Sequence, residues 1–360
     1  MSKVIYSSAR HYMGHRVANV YIQPNRYCNY ECSYCWPGAH TKVKDFVDAE
    51  KLYKTIDDLC KQFNDRGVRR INWGWSGGEA TFHPNFLDFQ KRILSNDYLY
   101  HTFNMTTNVS HNLSWWKKFV KVTEGYFHRQ ISASLHQEFV NTPAKVRKFK
   151  EKCKYLSNNN CSVVVNQVMD IDIFDDQLET MIEITEDIGI HGRPKVNSTL
   201  LKQYRKYTGT DGYNSYQMKT MNDYYNDQKI KLHQARIYQQ TQEGEEINFL
   251  DAEQLKLNDF WENLKDWICT AGYLSVAING LEIKRGVGAC RFQMMGTVGE
   301  DFSLDDKPKL CGEAEPCSCT ADLKLPKWKE EFDINTFVEK NRDEAKFSKT
   351  PWKGEIVRVN

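Results

Sequence analysis

Apolar positions in the first half of the chain recur in two alternating rhythms. Residues 17–22 (VANVYI) form a short apolar run that ends at Pro24. Leu52, Ile56, Leu59 and Phe63 follow at spacings of 4, 3 and 4, which places them on one helical face, and Gly67 is positioned to end that helix. Residues 68–75 (VRRINWGW) read as a second strand, followed by a helix carrying Phe86, Phe89 and Ile93. A third strand is expected near 100–106 with a helix around 115–122, and a fourth strand near 127–135. The next helix opens with Thr142 as N-cap and Pro143 at its first position, and turns Val146, Phe149, Cys153 and Leu156 inward. A fifth strand over 162–169 precedes a helix carrying Leu178, Met181 and Ile182, and a sixth strand is expected near 194–197.

Five or six strand–helix units in succession predict a parallel sheet with right-handed crossovers, curled into a full or partial barrel. The expected class is α/β, a partial (β/α)6 TIM-like barrel over residues 1–200. Residues 201–264, rich in Tyr, Gln, Asn and Lys, read as a connecting region with polar helices. A small cysteine-rich extension is expected over 265–322, and 323–360 reads as a charged tail with Trp328 and Trp352 as packing anchors.

Reactive groups in such barrels lie where strands end and helices begin. Cys28, Cys32 and Cys35 (YCNYECSYCW) follow the first strand, and Gly77, Gly78 and Glu79 (SGGEATFHP) follow the second. Thr107 and Asn108 follow the third, Ser134 and His136 end the fourth, and Asn166 and Gln167 lie within the fifth. The Cys-x3-Cys-x2-Cys spacing supplies three soft thiolates where an iron–sulfur cube takes four, so one iron is left open. A zinc knuckle or a disulfide pair is the alternative reading, although His11, His15 and His40 stand at no regular zinc spacing. Gly77 and Gly78 free the backbone for close approach to a ligand, and Glu79 adds a carboxylate suited to an ammonium group.

Composition narrows the field. The 360 residues carry 49 Lys plus Arg against 47 Asp plus Glu, a net charge of +2 with no basic tract, which gives nucleic-acid or membrane attraction no support. No apolar run reaches membrane-spanning length and the N-terminal residues have no hydrophobic signal core, so a cytoplasmic protein is expected. In a reducing compartment, 11 cysteines with two clusters among them read as metal ligands. Cys60 and Cys153 fall on apolar helix faces and read as core, and Cys161 reads as structural.

The cysteine loop, with an aromatic residue before its last cysteine, and the Gly-Gly-Glu after the next strand resemble the radical S-adenosylmethionine (SAM) superfamily. The resemblance implies an enzyme in which Cys28, Cys32 and Cys35 hold a 4Fe–4S cluster whose open iron takes the amino and carboxylate groups of SAM. It implies Tyr34 against the adenine, Gly77, Gly78 and Glu79 at the methionyl ammonium, and Asn108 and Ser134 at ribose or carboxylate. Ala80 stands where the family often has proline, and His136 stands where many relatives have aspartate, so His136 either faces the substrate or is a satisfied barrel histidine. The later cysteines, Cys269, Cys290, Cys311, Cys317 and Cys319, frame a Val-Ala-Ile-Asn-Gly hairpin and resemble a twitch or SPASM-type extension. That implies one auxiliary 4Fe–4S cluster on Cys269, Cys290, Cys311 and either Cys317 or Cys319, with structural zinc as the alternative. The implied chemistry uses an external one-electron donor of flavodoxin or ferredoxin type and removes a hydrogen atom from a peptide or a small sugar-like molecule. With 27 residues before Cys28, no leader-binding domain is expected. A non-catalytic iron–sulfur electron carrier is the reading from a different class.

Overall fold

The computed structural model describes residues 3–35, 40–197, 212–231, 237–250, 252–257, 264–313, 317 and 319–342. Trp352 lies outside them, as do parts of the 201–264 region and of the tail. The chain runs through β1 (Val4–Ala9), β2 (Val17–Gln23), α1 (Ala49–Asp65), β3 (Arg70–Trp75), α2 (Phe86–Leu94), β4 (Tyr100–Thr107), α3 (Leu113–Val122) and β5 (His128–Ser134). It continues through α4 (Pro143–Asn158), β6 (Ser162–Val168), α5 (Phe174–Ile188), β7 (His191–Lys195), α6 (Ser215–Lys231), β8 (Ile237–Thr241), β9 (Glu246–Phe249) and α7 (Ala252–Leu257). The last described elements are β10 (Ile268–Cys269), β11 (Ser275–Asn279), β12 (Glu282–Lys284), β13 (Met294–Thr297), β14 (Lys309–Leu310), α8 (Thr320–Leu323), β15 (Lys327–Trp328) and α9 (Ile334–Asn341).

Strands β2 to β7 pair in sequence order and all in parallel, each followed by a helix as far as α5. The helices start where the side chains direct. Asp48 accepts from the Lys51 amide to open α1, and Thr142 accepts from the Lys145 amide to open α4 with Pro143 behind it. Leu52, Ile56, Leu59 and Phe63 are fully buried on α1, as are Phe89 and Ile93 on α2 and Met181 on α5. Each such side chain contributes roughly 1.5–3 kcal/mol of burial free energy, so these faces hold the helices on the sheet. Cys60, Cys153 and Cys161 lie in the same core. Burial pushes the thiols of Cys153 and Cys161 up to about 12 and 11, leaving them chemically inert.

The sixth parallel strand starts at His191, before the expected residues 194–197. Pro194, inside the expected strand, is tolerated because β7 is the edge of its sheet, where a proline costs no ladder hydrogen bond. Two other pairings are invisible to local pattern. The hairpin β11–β12 adds to the opposite edge, with β11 parallel to β2 and Ile278 beside Ile22, to make a nine-stranded sheet. A second sheet, ordered β14-β10-β15-β1-β8-β9, joins the N-terminal strand, a hairpin from the 201–264 region and three short C-terminal strands. That region therefore contributes strands as well as helices. Trp328, an expected anchor, is buried there at 5% exposure.

Alternate residues of β3 to β6 face opposite ways. Ile71, Trp73, Phe103, Met105, Ile131 and Val165 join the apolar core. Asn72, Gly74, Asn104, Thr106, Gln130 and Ser132 instead line a cavity of about 750 Å³. One side of this lumen is walled by Tyr12, Cys319, Ala321 and Lys324.

Candidate active site

The loop after β2 is folded by its own backbone. Thr41 N donates to Arg26 O at 2.7 Å, Cys28 N donates to Thr41 O at 3.1 Å and Cys35 N donates to Cys32 O at 3.0 Å. Lys42 Nζ donates to the carbonyls of Cys28 and Tyr30, at 3.1 and 3.4 Å. The three thiols are half-buried and each has a nitrogen partner. Tyr30 N lies 3.4 Å from Cys28 Sγ, His136 Nδ1 lies 3.3 Å from Cys32 Sγ, and His40 Nδ1 lies 3.1 Å from Cys35 Sγ. Burial pushes the Cys28 thiol up and the Cys32 thiol up to about 12, and in both cases neighbouring cysteines add to the shift. Three mutually repelling thiols in one loop become stable thiolates only around a cation. Among the described residues no three His, Cys, Asp or Glu side chains close on a single-ion site, so the fit rests on donor chemistry, and three soft sulfurs suit an iron–sulfur cluster.

The Gly77-Gly78-Glu79 loop is interlocked with the cysteine loop. Gly77 has φ +122°, and a Cβ there would lie 2.5 Å from Asn25 O. A Cβ on Gly78 would fall on the carbonyl oxygens of Arg26 and Tyr27. Gly78 N donates to Asn25 O and Glu79 N to Tyr27 O at 3.2 and 2.7 Å. The glycines thus permit close approach to the cysteine loop's own backbone. Glu79 is 2% exposed, and its carboxylate accepts from Thr81 Oγ1 at 2.7 Å, Thr107 Oγ1 at 2.8 Å and Asn108 N at 2.7 Å. Burial raises its pKa and these hydrogen bonds oppose the rise. Glu79 therefore ties the end of β3 to the end of β4. Asn108 is held in turn, its amide donating to Asn29 Oδ1 at 2.8 Å.

Tyr34 and His136, expected to serve different partners, meet each other. Tyr34 Oη lies 2.6 Å from His136 Nδ1, and the rings stack with centroids 5.9 Å apart. Burial lowers the His136 pKa to about 4, so the ring is neutral, a satisfied histidine. Sequence reasoning missed its neighbours. Glu138 accepts from Ser33 N at 3.0 Å, and Phe139 stacks on Tyr30 at 4.3 Å. Both follow β5, at the strand ends already marked as site-bearing, but no local spacing tied them to a loop a hundred residues away. Ser134 ends β5 half-buried.

The later cysteines separate. Cys269, Cys290, Cys311 and Cys317 line one small cavity together with Asp322 and Lys327, whereas Cys319 lines the lumen. Asp322 Oδ2 accepts from Val287 N at 2.8 Å, and Gly286 admits the Cys290 sulfur where a Cβ would stand 2.6 Å away. Lys327 is 2% exposed, and its ammonium donates to Asp322 O at 2.7 Å and Leu325 O at 2.9 Å. Burial pushes the thiols of Cys290 and Cys317 far up, with Asp322 adding to both and Lys327 opposing at Cys317. Four thiols beside a buried ammonium form a donor set suited to an anionic iron–sulfur centre.

A parallel strand–helix array with a three-cysteine loop and an interlocked Gly-Gly-Glu loop at adjacent strand ends defines the class of protein. Residues 22–184, just under half of the chain, match the family model of the radical SAM superfamily. No curated protein matches the chain. Among solved structures, hexahistidine-tagged anSMEcpe with bound AdoMet is similar at 13% identity and a TM-score of 0.50, over 79% of each chain. That likeness is one of fold. Native anSMEcpe with bound AdoMet and Cp18Cys peptide (12% identity, TM-score 0.49, 92% of this chain and 86% of that one) also matches. So does BtrN in complex with AdoMet and 2-DOIA, at 16% identity, TM-score 0.25, and 60% and 89% coverage. No described helix is long and apolar enough to cross a membrane.

Proposed function

We propose that the protein is a radical SAM enzyme whose barrel-like domain, within residues 1–200, activates SAM and whose module over 265–322 carries one auxiliary 4Fe–4S cluster. The observation that carries this reading is the interlock of the Cys28–Cys32–Cys35 loop with Gly77-Gly78 at the C-terminal ends of adjacent parallel strands. An electron carrier has no use for that second loop. When bound and reduced by an external one-electron donor, the 4Fe–4S cluster supplies the electron that cleaves SAM to methionine and a 5′-deoxyadenosyl radical, which takes a hydrogen atom from the substrate.

The chain's own residues hold and orient. Cys28, Cys32 and Cys35 would ligate the first cluster. Gly77, Gly78 and Glu79 shape the loop that takes the methionyl ammonium, with Glu79 bracing it from behind through Thr81, Thr107 and Asn108. Tyr34, braced by His136, would pack on the adenine, and Asn108 and Ser134 would meet the ribose or carboxylate. In the auxiliary module we assign the ligands to Cys269, Cys290, Cys311 and Cys317, since these share a cavity that Cys319 does not line. A lumen of about 750 Å³ walled by polar side chains supports a small polar substrate over a peptide.

Anaerobically reconstituted protein should carry about eight irons, and changing Cys28, Cys32 and Cys35 together to Ala should remove about half. Dithionite-reduced protein should slowly form 5′-deoxyadenosine from SAM without substrate. Formation no faster than in the triple-Ala variant would leave the electron-carrier reading ahead, and four irons with one zinc would make the C-terminal site structural zinc.

A further inference from the structure

Charge is unevenly spread over the helices that cover the parallel sheet. α3 carries Lys117, Lys118 and Lys121 and no acidic residue, and α4 carries six cations against one carboxylate, Glu151. α5, the next helix, is the reverse, with six acidic residues and no Lys or Arg. The near-neutral balance of the whole chain conceals this contrast. α3 and α4 pack side by side, and Lys150 pairs with Asp187 at 3.0 Å across the boundary to α5. Lys117, Lys145 and Lys148 are exposed and pair with no carboxylate among the described residues.

This basic face is tied to the cysteine loop. Lys145 Nζ donates to Asn141 Oδ1 at 3.0 Å, Asn141 Nδ2 donates to Glu138 O at 3.0 Å, and the Glu138 carboxylate accepts from Ser33 N at 3.0 Å. Phe139, in the same turn, stacks on Tyr30. Lys152, one helical turn beyond Lys148, donates to Val109 O beside Asn108. Lys145 also lies in the first turn of α4, the end at which a helix dipole disfavours a cation, and no acidic residue stands in that turn. Helix stability therefore does not account for its charge.

Like charges gathered on one face attract a partner of opposite sign and speed its approach. Nucleic acid would also want exposed rings on which bases stack, and the aromatic residues of α3 and α4 are all buried or half-buried. An acidic protein needs no such rings.

We propose that the face of α3 and α4 around Lys117, Lys145 and Lys148 docks an acidic one-electron carrier protein, which feeds the cluster on the Cys28–Cys32–Cys35 loop. One electron passes from the reduced carrier to the cluster, and no atom is transferred. The use made of that electron rests on the radical SAM reading; the docking itself does not.

The test is calorimetric titration of the anaerobically reconstituted full chain with an acidic flavodoxin and with an acidic ferredoxin, both oxidised. At least one should bind saturably at low ionic strength and lose about tenfold in affinity at high salt. K145E/K148E should weaken that binding by about tenfold, and K61E, a change in an exposed lysine on α1, should leave it unchanged. Lys145→Glu suits the helix dipole, so the loss should come without a lower unfolding midpoint. If the double variant does not fold, K117E and K148Q singly should each weaken binding about threefold. With the reduced carrier as electron source, K145E/K148E should raise the carrier concentration for half-maximal 5′-deoxyadenosine formation, and with dithionite its rate should equal that of the wild type. No saturable binding of either carrier, or equal binding by wild type and K145E/K148E, would overturn the proposal. So would tighter binding of poly(U) that the same variant loses, which would give the face to nucleic acid. Dithionite-driven cleavage without carrier docking defeats only this inference, and docking without dithionite-driven cleavage defeats only the enzymatic reading.

Discussion

At the scale of single residues, glycines that look alike in sequence have different tasks. Gly67 has φ +75° with nothing within 4 Å of its would-be Cβ, so Gly67→Ala costs only backbone strain, about 1 kcal/mol. Gly78→Ala drives a methyl into two carbonyls of the cysteine loop, and overpacking of that kind costs roughly 1–3 kcal/mol. Gly78→Ala should therefore lower both the unfolding midpoint and the iron content at the first site, while Gly67→Ala lowers only the midpoint. Equal iron content in the two variants would contradict the interlock. Cysteines divide in the same way. Cys317→Ala should lose the auxiliary cluster's iron and Cys319→Ala should keep it, because only the former shares the cavity with Cys269, Cys290 and Cys311. An iron assay on the two single variants distinguishes them.

At the scale of elements, local signals placed the helices and left their neighbours undetermined. The Thr142 cap and Pro143 start α4 where the pattern placed it, and the inward face of Phe149, Cys153 and Leu156 is buried. The β11–β12 hairpin was legible as a hairpin, but its docking on β2 was not, because a parallel pairing over some 250 residues leaves no local trace. This docking has a consequence for stability. Ile278 is fully buried beside Ile22, at the end of the strand that leads into the cysteine loop. Ile278→Ala should cost roughly 2–5 kcal/mol and weaken the first site. Changing Cys269 and Cys290 together to Ala leaves the hairpin's apolar contacts in place. That variant should keep SAM cleavage, lose substrate modification and become protease-sensitive around 265–313 before the parallel sheet does. Complete loss of cleavage in a folded variant with its first cluster intact would defeat the division into two sites.

At the scale of the whole molecule, His15 sits between the two sheets, its ring 5.8 Å from that of Trp328 in the second. Burial, with Arg342 adding, lowers its pKa to about 4, against ~6.5 for an unfolded histidine. The folded state therefore binds this proton more weakly than the unfolded state does. The stability it contributes is present above about pH 6.5 and is lost as pH falls through about 4. His15→Asn, which tolerates the φ of 53° there, should flatten the dependence of the unfolding midpoint between pH 6.5 and 4. An unchanged slope would place the acid sensitivity elsewhere.

Chain order and periodicity alone determined the run of parallel strands, the helices that cover them and the strand ends on which Cys28, Gly77, Asn108 and Ser134 stand. These follow from local forces: caps, breakers and apolar faces that act within a turn or two. The sequence could not say that residues 4–9 would form a strand of a second sheet, or that Cys317 and Cys319, two residues apart, would line different cavities. Nor could it say whether the polar alternate positions of β3 to β5 face solvent or a lumen, because a strand with one apolar and one polar face reads the same in both settings. Only the approach of Tyr12, Cys319, Ala321 and Lys324 to that polar face made it the wall of a cavity.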